Sequence, residues 1–351
     1  MTSFINFFKK KRVLITGHTG FIGSWLTKWL QMLDSELCGY ALAAPTTPNL
    51  FSLLNLEDRM VDTRGDIRDK ISLSKCIEQF QPEIVFHLAA QPIVLESFYN
   101  PVETFEINVN GTINILESLR HVDSVKEILV MTSDKVYVND LTTTAHIESD
   151  CIGGKDPYSA SKACQDMVAR SFWETYFSQS RIRLATIRAG NVIGGGDWGK
   201  KRIIPDVVNG ITQKSVIKLR NFDSVRPWQY VLDAINGMLK LTNEMWNNND
   251  LSGSWNIGPD KSQEKTVREL VEKFFSNWGA GEYAIEKSSV NIESPYLNLD
   301  AKKAHKELQW RPLYSFDLAV EATASWYRKY YEGENMENAT RNEILNFMNK
   351  M

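Results

Sequence analysis

Two side chains four residues apart, Tyr158 and Lys162, form the pair in this sequence best suited to moving a proton. Residues 156–162 read DPYSASK, where the aspartate is a good N-cap and the proline suits the first helical position, so the pair shares one helix face. The pKa of a tyrosine is ordinarily about 10, and a neighbouring ammonium lowers it by favouring the phenolate. Such a pair can take the proton of an alcohol while a hydride leaves its carbon, and Ser133, at the end of a predicted strand, could share that proton.

A glycine-rich turn lies near the amino terminus. Residues 13–23 read VLITGHTGFIG, an apolar strand that runs into a helix through three regularly spaced glycines. A dinucleotide diphosphate requires a backbone that it can approach without Cβ atoms in the way, and a helix N-terminus supplies amide donors to it. We therefore predict a dinucleotide site here; the alternative is a tight turn that needs glycine only for packing. The predicted contacts are Gly17, Thr19, Gly20, Phe21, Ile22 and Gly23.

The segments after the second, third and fourth strands bear on which dinucleotide is bound. A ribose-binding acid is expected at the end of strand two, but residues 37–42 (LCGYAL) contain no acid and no arginine for a 2′-phosphate, so NAD and NADP both stay open. Asp66 could meet the adenine amino group, with a turn or helix-cap aspartate as the alternative, and we expect His87 to be a core histidine. Small residues after strand four let a flat cofactor lie close. The remaining predicted cofactor contacts are Ile67, Leu88, Ala89, Ala90, Tyr158 and Lys162.

Strands and helices alternate through the first half of the chain. Continuous apolar strands in such alternation predict an α/β fold with a doubly wound parallel sheet, the Rossmann arrangement, covered on both faces. The pattern becomes irregular after residue 194, so we predict a dinucleotide-binding domain over 1–193, which regains a segment near 228–258, and a smaller, mixed α/β substrate domain over 194–351. The tail from Glu334 has helical spacing, and the sequence does not decide whether it docks on the body. The predicted strands are 13–15, 37–42, one around Val61, 84–88, 128–131, 182–187 and 216–219, and the predicted helices are 21–33, 71–80, 102–119, 157–177, 203–211, 266–278, 301–308 and 316–331.

Composition excludes several classes of protein. The 351 residues carry a formal net charge of −3, which argues against nucleic acid as the main partner, and the 43% hydrophobic content argues against disorder. No run approaches the roughly 18 apolar residues of a membrane span, and in residues 1–12 the basic stretch follows the apolar one, the wrong order for a signal peptide. The four cysteines have no metal-site spacing, so we expect no metal, reduced thiols and a cytoplasmic location.

Taken together, the motifs resemble those of the extended short-chain dehydrogenase/reductase family, which includes the NAD-dependent epimerases and dehydratases, over essentially the whole chain. The similarity is greatest to the nucleotide-sugar 4,6-dehydratases of that family. It implies an NAD-dependent hydro-lyase that converts CDP-D-glucose to CDP-4-keto-6-deoxy-D-glucose for deoxysugar biosynthesis, such as that of lipopolysaccharide O-antigen. The segments that carry the resemblance are GHTGFIGSWL (17–26), GYALAAPTTPNL (39–50), TSDKVY (132–137), GGKDPYSASK (153–162), RAGNVIGGGDW (188–198) and RPWQYV (226–231).

The resemblance assigns roles to the two residues after Ser133. It implies that Asp134 protonates the leaving C6 hydroxyl and that Lys135 removes the C5 proton, a position where related dTDP-glucose dehydratases have glutamate. Asp134 must then be protonated and Lys135 neutral, so burial must raise the pKa of the first and lower that of the second. Because successive strand residues point to opposite faces, both can reach one sugar only if the strand ends near Ser133. The alternative is a turn with a salt-bridged aspartate and a solvated lysine.

The resemblance also implies residues on the substrate side. Asn191 and Arg226 match positions that contact the diphosphate of a nucleotide sugar in relatives, and Arg202, with Lys201 beside it, is a further candidate phosphate contact. The alternatives are a loop asparagine and a structural salt bridge. Asn108 matches a position that supports the active-site strand.

Helices matching residues 102–119 and 157–177 pack between subunits in relatives, so a homodimer is expected and a homotetramer is possible. Three other functions stay open. The first is a 4,6-dehydratase that acts on another nucleotide hexose. A nucleotide-sugar 4-epimerase or reductase would not need Asp134 and Lys135, and a dinucleotide-sensing regulator would not need Tyr158 or Lys162.

Overall fold

The computed structural model describes residues 2–139, 144–219, 221–286 and 296–351. No helix in those segments is long and apolar enough to cross a membrane. The strands are β1 (Arg12–Thr16), β2 (Glu36–Ala41), β3 (Val61–Arg64), β4 (Ile84–His87), β5 (Glu127–Met131), β6 (Arg183–Ala189), β7 (Val192–Ile193), β8 (Ile217–Leu219), β9 (Val225–Arg226), β10 (Gln229–Tyr230), β11 (Gly253–Ile257), β12 (Lys265–Thr266) and β13 (Tyr283–Ile285). The helices are α1 (Thr2–Phe8), α2 (Phe21–Met32), α3 (Leu50–Leu53), α4 (Lys70–Phe80), α5 (Val94–Tyr99), α6 (Pro101–Phe105), α7 (Gly111–Leu119), α8 (Pro157–Phe172), α9 (Ile203–Thr212), α10 (Val231–Met245), α11 (Val267–Trp278), α12 (Lys302–Glu307), α13 (Phe316–Tyr331) and α14 (Met336–Met348).

The central sheet has seven strands in the order β11-β6-β5-β4-β1-β2-β3, and all of its pairings are parallel. Strand β1 shows why the sheet is buried on both faces, since Val13, Leu14 and Ile15 are fully covered. In register, Thr16 lies opposite Tyr40 on β2 and His87 on β4, so the carboxyl ends of these strands form one edge. The predicted doubly wound α/β sheet is confirmed, and its carboxyl edge is where such folds bind ligands.

Two predicted long helices are interrupted by wider turns. The helix predicted over 102–119 consists of α6, a π-helical turn over Glu106–Asn110 and α7. The helix predicted over 157–177 consists of α8 and a π-helical turn over Trp173–Phe177. π-helical turns are frequent at functional sites, and the first of these two carries the buried Asn108.

The carboxyl-terminal tail docks on the body of the protein. Helix α14 buries Ile344 and Phe347, and the Phe347 ring meets Trp29 of α2 edge-on at 5.6 Å. The buried Lys28 reaches Glu337 on α14 at 2.8 Å. The question that the sequence left open is thus answered by burial of the apolar face of the tail.

The chain after residue 194 contributes one strand to the central sheet. Strand β11 pairs with β6 in the central sheet, with Trp255 opposite Ile187. Helix α11 begins with the predicted capping box of Thr266 and Glu269. The domain boundaries at residues 193, 228 and 258 stay predictions.

Candidate active site

The glycine turn after β1 is shaped by close backbone approaches. Gly17 has a φ of +77°, and a Cβ atom there would lie 2.7 Å from the amide nitrogen of Ala89, after β4. A Cβ on Gly23 would lie 2.2 Å from the carbonyl oxygen of Gly17. These two glycines are therefore required sterically, and they bring α2 and the end of β4 against the turn. Thr19 donates from Oγ1 to the carbonyl of Leu42 at 3.0 Å, which ties the turn to the end of β2.

The first turn of α2 fits a dinucleotide diphosphate. Its N-cap is Gly20, and no side chain in the described part of the chain caps the helix. The leading amides of α2, which include those of Phe21 and Ile22, therefore face the turn at the positive end of the helix dipole. This arrangement supports the predicted cofactor contacts, which stay predictions.

A histidine and an aspartate that the sequence did not single out support the turn. His18 is buried, and its Nε2 lies 2.8 Å from Oδ1 of Asp62 on β3, while Asp62 also accepts from Arg64 at 2.7 Å. Burial lowers the pKa of His18 despite the adjacent carboxylate. A Cβ on Gly39 would strike the His18 ring, so this glycine makes room for it.

Asp66, predicted to meet adenine, is held by its own turn. Its carboxylate accepts from the Arg68 guanidinium at 2.7 Å and from the Arg68 backbone at 2.9 Å, and the bond to this guanidinium lowers the pKa of Asp66. This geometry matches the turn aspartate weighed as the alternative; contact with adenine stays a prediction. Ile67 beside it is buried against Gly111.

Tyr158 and Lys162 lie on the first two turns of α8, as predicted. Asp156 caps the helix by accepting from the Ser159 amide at 3.0 Å, and Pro157 takes the first helical position. Tyr158 is 8% exposed and Lys162 is 3% exposed. The Lys162 Nζ donates to the carbonyl of Met131, at the end of β5, at 3.2 Å.

Burial shifts the pKa values of Tyr158 and Lys162 in opposite directions. Burial raises the pKa of Tyr158 to about 12, and a hydrogen bond with Ser133 opposes that rise only in part. Burial lowers the pKa of Lys162 to about 7. In the chain alone, desolvation of the phenolate outweighs the favourable neighbours. The predicted lowering of the Tyr158 pKa also counts the positive nicotinamide ring of a bound cofactor, and it stays a prediction.

Strand β5 ends just before Ser133, as the predicted roles of Asp134 and Lys135 require. Strand β5 stops at Met131, and Ser133 caps a short 3₁₀ turn over Asp134–Val136 by accepting from the Lys135 amide at 3.2 Å. Ser133 also donates from Oγ to Oδ1 of Asp134 at 3.0 Å. The condition set for both residues to reach one substrate is thus met by this turn.

Asp134 and Lys135 have different surroundings. Asp134 is 3% exposed, and burial raises its pKa although Lys135, Ser133 and Arg226 oppose the rise. Within the described residues its Oδ2 has no hydrogen-bond partner, which suits a carboxyl group that carries a proton there. Lys135 is only partly buried, so the burial predicted for a neutral lysine is incomplete in the chain alone.

Two of the three predicted substrate residues, Arg226 and Arg202, lie close enough for their charges to act on Asp134 and Tyr158, respectively. Arg226 is 3% exposed, its charge acts on Asp134, and it donates to the Val225 carbonyl at 2.9 Å. Asn191 is partly buried between β6 and β7. Arg202, the N-cap residue of α9, pairs with Asp197 at 2.9 Å, and its charge acts on Tyr158. Their contacts with substrate stay predictions.

A buried ion pair behind the turn was not found from the sequence. Arg188 on β6 makes two hydrogen bonds to Asp166 on α8, at 2.7 and 2.9 Å, with both side chains at most 4% exposed. Asp166 also accepts from Thr132 at 3.2 Å, and Arg188 donates to the Tyr137 hydroxyl at 2.9 Å. The pair thus fixes both ends of the segment that carries Ser133, Asp134 and Lys135.

Replacing Arg188 with methionine is expected to lower the free energy of unfolding by about 3–5 kcal/mol, because the Asp166 carboxylate is left buried without its cation. Urea denaturation measures this change. The matched control is R170M, since Arg170 pairs with Glu174 on the surface, where such a pair contributes about 0–1 kcal/mol. Equal losses in the two variants would contradict the structural role of the Arg188 pair.

Asn108 connects the π-helical turn to the helix of the tyrosine. Its Nδ2 donates to Ser161 Oγ at 2.9 Å, and its Oδ1 accepts from the Gln91 amide at 2.8 Å. Ser161 in turn donates to the carbonyl of Tyr158 at 2.7 Å. Asn108 therefore supports the start of α8 and the loop after β4, next to Leu88, Ala89 and Ala90.

Comparison with known proteins places this arrangement among nucleotide-sugar enzymes. Residues 14–323 match the family described as GDP-mannose 4,6 dehydratase. The chain is 40% identical over 350 residues to a CDP-glucose 4,6-dehydratase of Salmonella typhimurium, covering 98% of each chain. It is 26% identical over 356 residues to a dTDP-glucose 4,6-dehydratase of Neisseria gonorrhoeae, covering 95% of this chain and 98% of the relative. The solved structure of a dTDP-glucose 4,6-dehydratase from Streptomyces venezuelae with NAD bound has a TM-score of 0.79 at 24% identity, covering 92% of this chain and 98% of that chain, a likeness of fold alone.

Proposed function

Because this chain belongs to the GDP-mannose 4,6-dehydratase family, we propose that it is an NAD-dependent nucleotide-sugar 4,6-dehydratase whose substrate is CDP-glucose. The choice of cytidine and glucose is supported by the relative that is 40% identical over nearly the whole of both chains. The product is CDP-4-keto-6-deoxy-glucose, and the net reaction is the loss of one water molecule. Such a product feeds deoxysugar biosynthesis, of which lipopolysaccharide O-antigen assembly is one destination.

One observation carries the dehydratase assignment. The Ser133–Asp134 hydrogen bond of 3.0 Å lies on a turn that also brings Ser133 to Tyr158. An acid with a raised pKa therefore stands beside the hydroxyl groups that would take the C4 hydroxyl proton while the sugar is oxidised. Oxidation alone does not need that acid, whereas expulsion of the C6 hydroxyl does.

We propose NAD as the cofactor, held by the Gly17–Gly23 turn, the amides of α2 and the Lys162 side chain. When bound, it would accept hydride from C4 of the hexose and return it to C6. Asp66 and Ile67 on one side and Leu88, Ala89 and Ala90 on the other would flank it. NADP is the alternative cofactor, and tighter binding of NADP than of NAD in a titration would support it.

The side chains of this protein divide the proton movements. Tyr158 takes the C4 hydroxyl proton, and Ser133, which lies close enough to limit the rise in the Tyr158 pKa, shares it. Lys135 removes the C5 proton, and Asp134 delivers a proton to the departing C6 hydroxyl, so that water leaves. Lys135 would then return a proton to C5 when the hydride is returned to C6, which gives the 4-keto-6-deoxy product. Asn191, Arg202 and Arg226 bind the diphosphate, and Arg226 also limits the rise in the pKa of Asp134.

The test is to incubate the purified protein with CDP-glucose, dTDP-glucose, UDP-glucose and GDP-mannose and to record product masses. We expect only CDP-glucose to give a product lighter by one water. Dehydration of another nucleotide sugar alone would overturn the substrate and keep the reaction class. An epimerised product of unchanged mass would instead support the 4-epimerase alternative.

We also propose that the protein is a homodimer built on helices α5 to α8, with a tetramer as the larger alternative. Apolar side chains there are unusually exposed, and such a patch favours a self-complementary contact. The exposed residues are Phe98, Tyr99, Val102, Phe105, Ile113 and Met167.

Replacing Val102, 70% exposed on this face, with glutamate is expected to turn the dimer into a monomer in sedimentation-velocity analysis. A charge buried in an apolar contact without a partner is costly. The control is L318E, at an exposed position of α13, which should leave the dimer intact. A wild-type protein that sediments as a monomer would contradict the proposal.

We further propose a cytoplasmic location, which is supported by the free thiols of Cys38, Cys76, Cys151 and Cys164.

A further inference from the structure

A buried glutamine contacts Lys162 directly. Gln165, one turn further along α8, has no measurable exposure, and its Oε1 accepts from the Lys162 Nζ at 2.8 Å. The second acceptor of Lys162 is the Met131 carbonyl at 3.2 Å. Both acceptors are neutral, and no carboxylate among the described residues forms an ion pair with this lysine.

The orientation of the Gln165 amide is fixed by Thr112 on α7. Thr112 Oγ1 donates its single hydrogen to the Asn108 carbonyl at 2.7 Å, so its lone pairs are left to accept. Gln165 Nε2 donates to this oxygen at 2.9 Å. The amide must therefore present its oxygen, and not its NH₂ group, to Lys162.

A histidine completes the constraint on Thr112. His87 Nε2 lies 3.0 Å from Thr112 Oγ1, and His87 Nδ1 lies 2.7 Å from Thr16 Oγ1, at the end of β1. Because Thr112 can only accept here, His87 donates from Nε2 and accepts at Nδ1, as a neutral ring does. Burial, with Lys162 nearby, lowers the pKa of His87 to about 3, consistent with a neutral ring.

From this chain of contacts we propose that Gln165, oriented by Thr112, is a positioning residue that holds the amine of Lys162 against a neutral acceptor and so keeps its positive charge available to Tyr158 and the cofactor. The expected change in kcat rests on the proposed function, whereas the contact between Gln165 and Lys162 does not. A carboxylate in place of the amide would neutralise the lysine that Tyr158 needs.

In the described part of the chain, the hydrogen-bond acceptors of the Lys162 amine are Gln165 and the Met131 carbonyl, and the titratable groups nearby are occupied otherwise. His87 faces it from β4 and is neutral. Tyr158 precedes it by one helical turn, and Asp134, after β5, acts on Tyr158. Asp166, next to Gln165 in sequence, is bound to Arg188.

The first test is Q165E, which keeps the shape of the side chain and adds the charge. The acid limb of the kcat–pH profile is expected to move to higher pH by about one unit, because the phenolate loses the field of an unpaired ammonium, and one unit corresponds to about tenfold in kcat on that limb. The pH dependence of NAD affinity, measured by tryptophan fluorescence, should shift together with the kcat–pH profile. The control is Q31E, at a buried glutamine of α2 that donates to the Leu56 carbonyl, and it should keep the wild-type profile.

The second test separates orientation from packing. T112V removes the hydroxyl that fixes the amide and should shift the same limb, whereas T112S keeps the hydroxyl and should restore the wild-type profile. A merely structural role would lower thermal stability without moving either pH profile. Unchanged profiles in both Q165E and T112V would overturn the inference. If the wild-type protein dehydrates no sugar but Q165E still changes the pH dependence of NAD affinity, the proposed function is contradicted and the inference about Gln165 is supported.

Discussion

Replacing Tyr158 with phenylalanine is expected to abolish dehydration and to leave dinucleotide affinity nearly unchanged. The side chain is 8% exposed, so the phenylalanine ring keeps its packing and only the hydroxyl is lost. Ser133 retains its 3.0 Å bond to Asp134, and the variant therefore leaves that buried hydroxyl with a partner. A positioned acid or base contributes about 10²–10⁴-fold to a rate, and we expect kcat to fall by at least the lower of these factors.

Product formation followed by mass, and NAD affinity followed by tryptophan fluorescence, measure the two halves of this prediction. The matched control is Y331F, because Tyr331 is 46% exposed on α13, and it should turn over at nearly the wild-type rate. Normal turnover in Y158F would remove the phenol from the chemistry. A regulator that only senses dinucleotide would show the same affinity in both variants and no turnover in the wild type.

The pH dependence of the wild type follows from the same residues. In the chain alone the pKa of Tyr158 is raised to about 12, and that of Lys162 is lowered to about 7. Tyr158 acts as a base only in its deprotonated form, so activity should rise with pH until the positive charge of Lys162 is lost. The sequence could supply the pair and its spacing, but not this balance, because desolvation depends on what packs over α8.

Local rules were sufficient for the parts of the site that lie within one element or one turn. The glycine spacing specified the βα turn because a Cβ on Gly23 would clash with the Gly17 carbonyl six residues earlier. The N-cap Asp156 with Pro157 fixed the start of α8 and hence the face shared by Tyr158 and Lys162. These contacts are short in sequence, so composition and spacing specify them.

Contacts between distant elements were beyond the sequence. The Arg188–Asp166 pair joins residues 22 apart in the chain, and the His18–Asp62 pair joins residues 44 apart. Nothing local distinguishes these residues from surface charges, because their burial is decided by the order of the strands. The amino-terminal helix α1 was missed for the same reason, since its Phe8 is buried by packing on elements far along the chain.

The 3₁₀ turn after β5 lies between these two cases. Its sequence, Ser-Asp-Lys, is compatible with a continuing strand or with a turn, and a strand would have sent the aspartate and the lysine to opposite faces. The structure ends β5 at Met131 and lets Ser133 cap the turn. Three adjacent side chains can therefore serve one substrate, as the dehydratase reaction requires.

Replacing Lys135 with methionine is expected to stop the reaction at the removal of the C5 proton. The Ser133–Asp134 bond and the Tyr158 environment do not involve the Lys135 side chain, so binding of NAD and oxidation of the sugar should persist. Loss of a general base lowers a rate by about 10²–10⁴-fold. In deuterated water, the variant should therefore incorporate no deuterium at C5 while dehydration falls by that factor.

The companion variant D134N separates the acid from the base. Asparagine keeps the shape of the buried side chain but has no acidic proton to deliver, whereas burial raises the pKa of Asp134 and so favours its protonated form. D134N should lose dehydration yet still exchange the C5 hydrogen, because Lys135 remains. K135E, which supplies a carboxylate base at the same position, should recover part of the exchange that K135M loses. The control K155M removes an exposed lysine from the loop before α8 and should change neither measurement. Wild-type exchange at C5 in K135M would show that another group removes this proton.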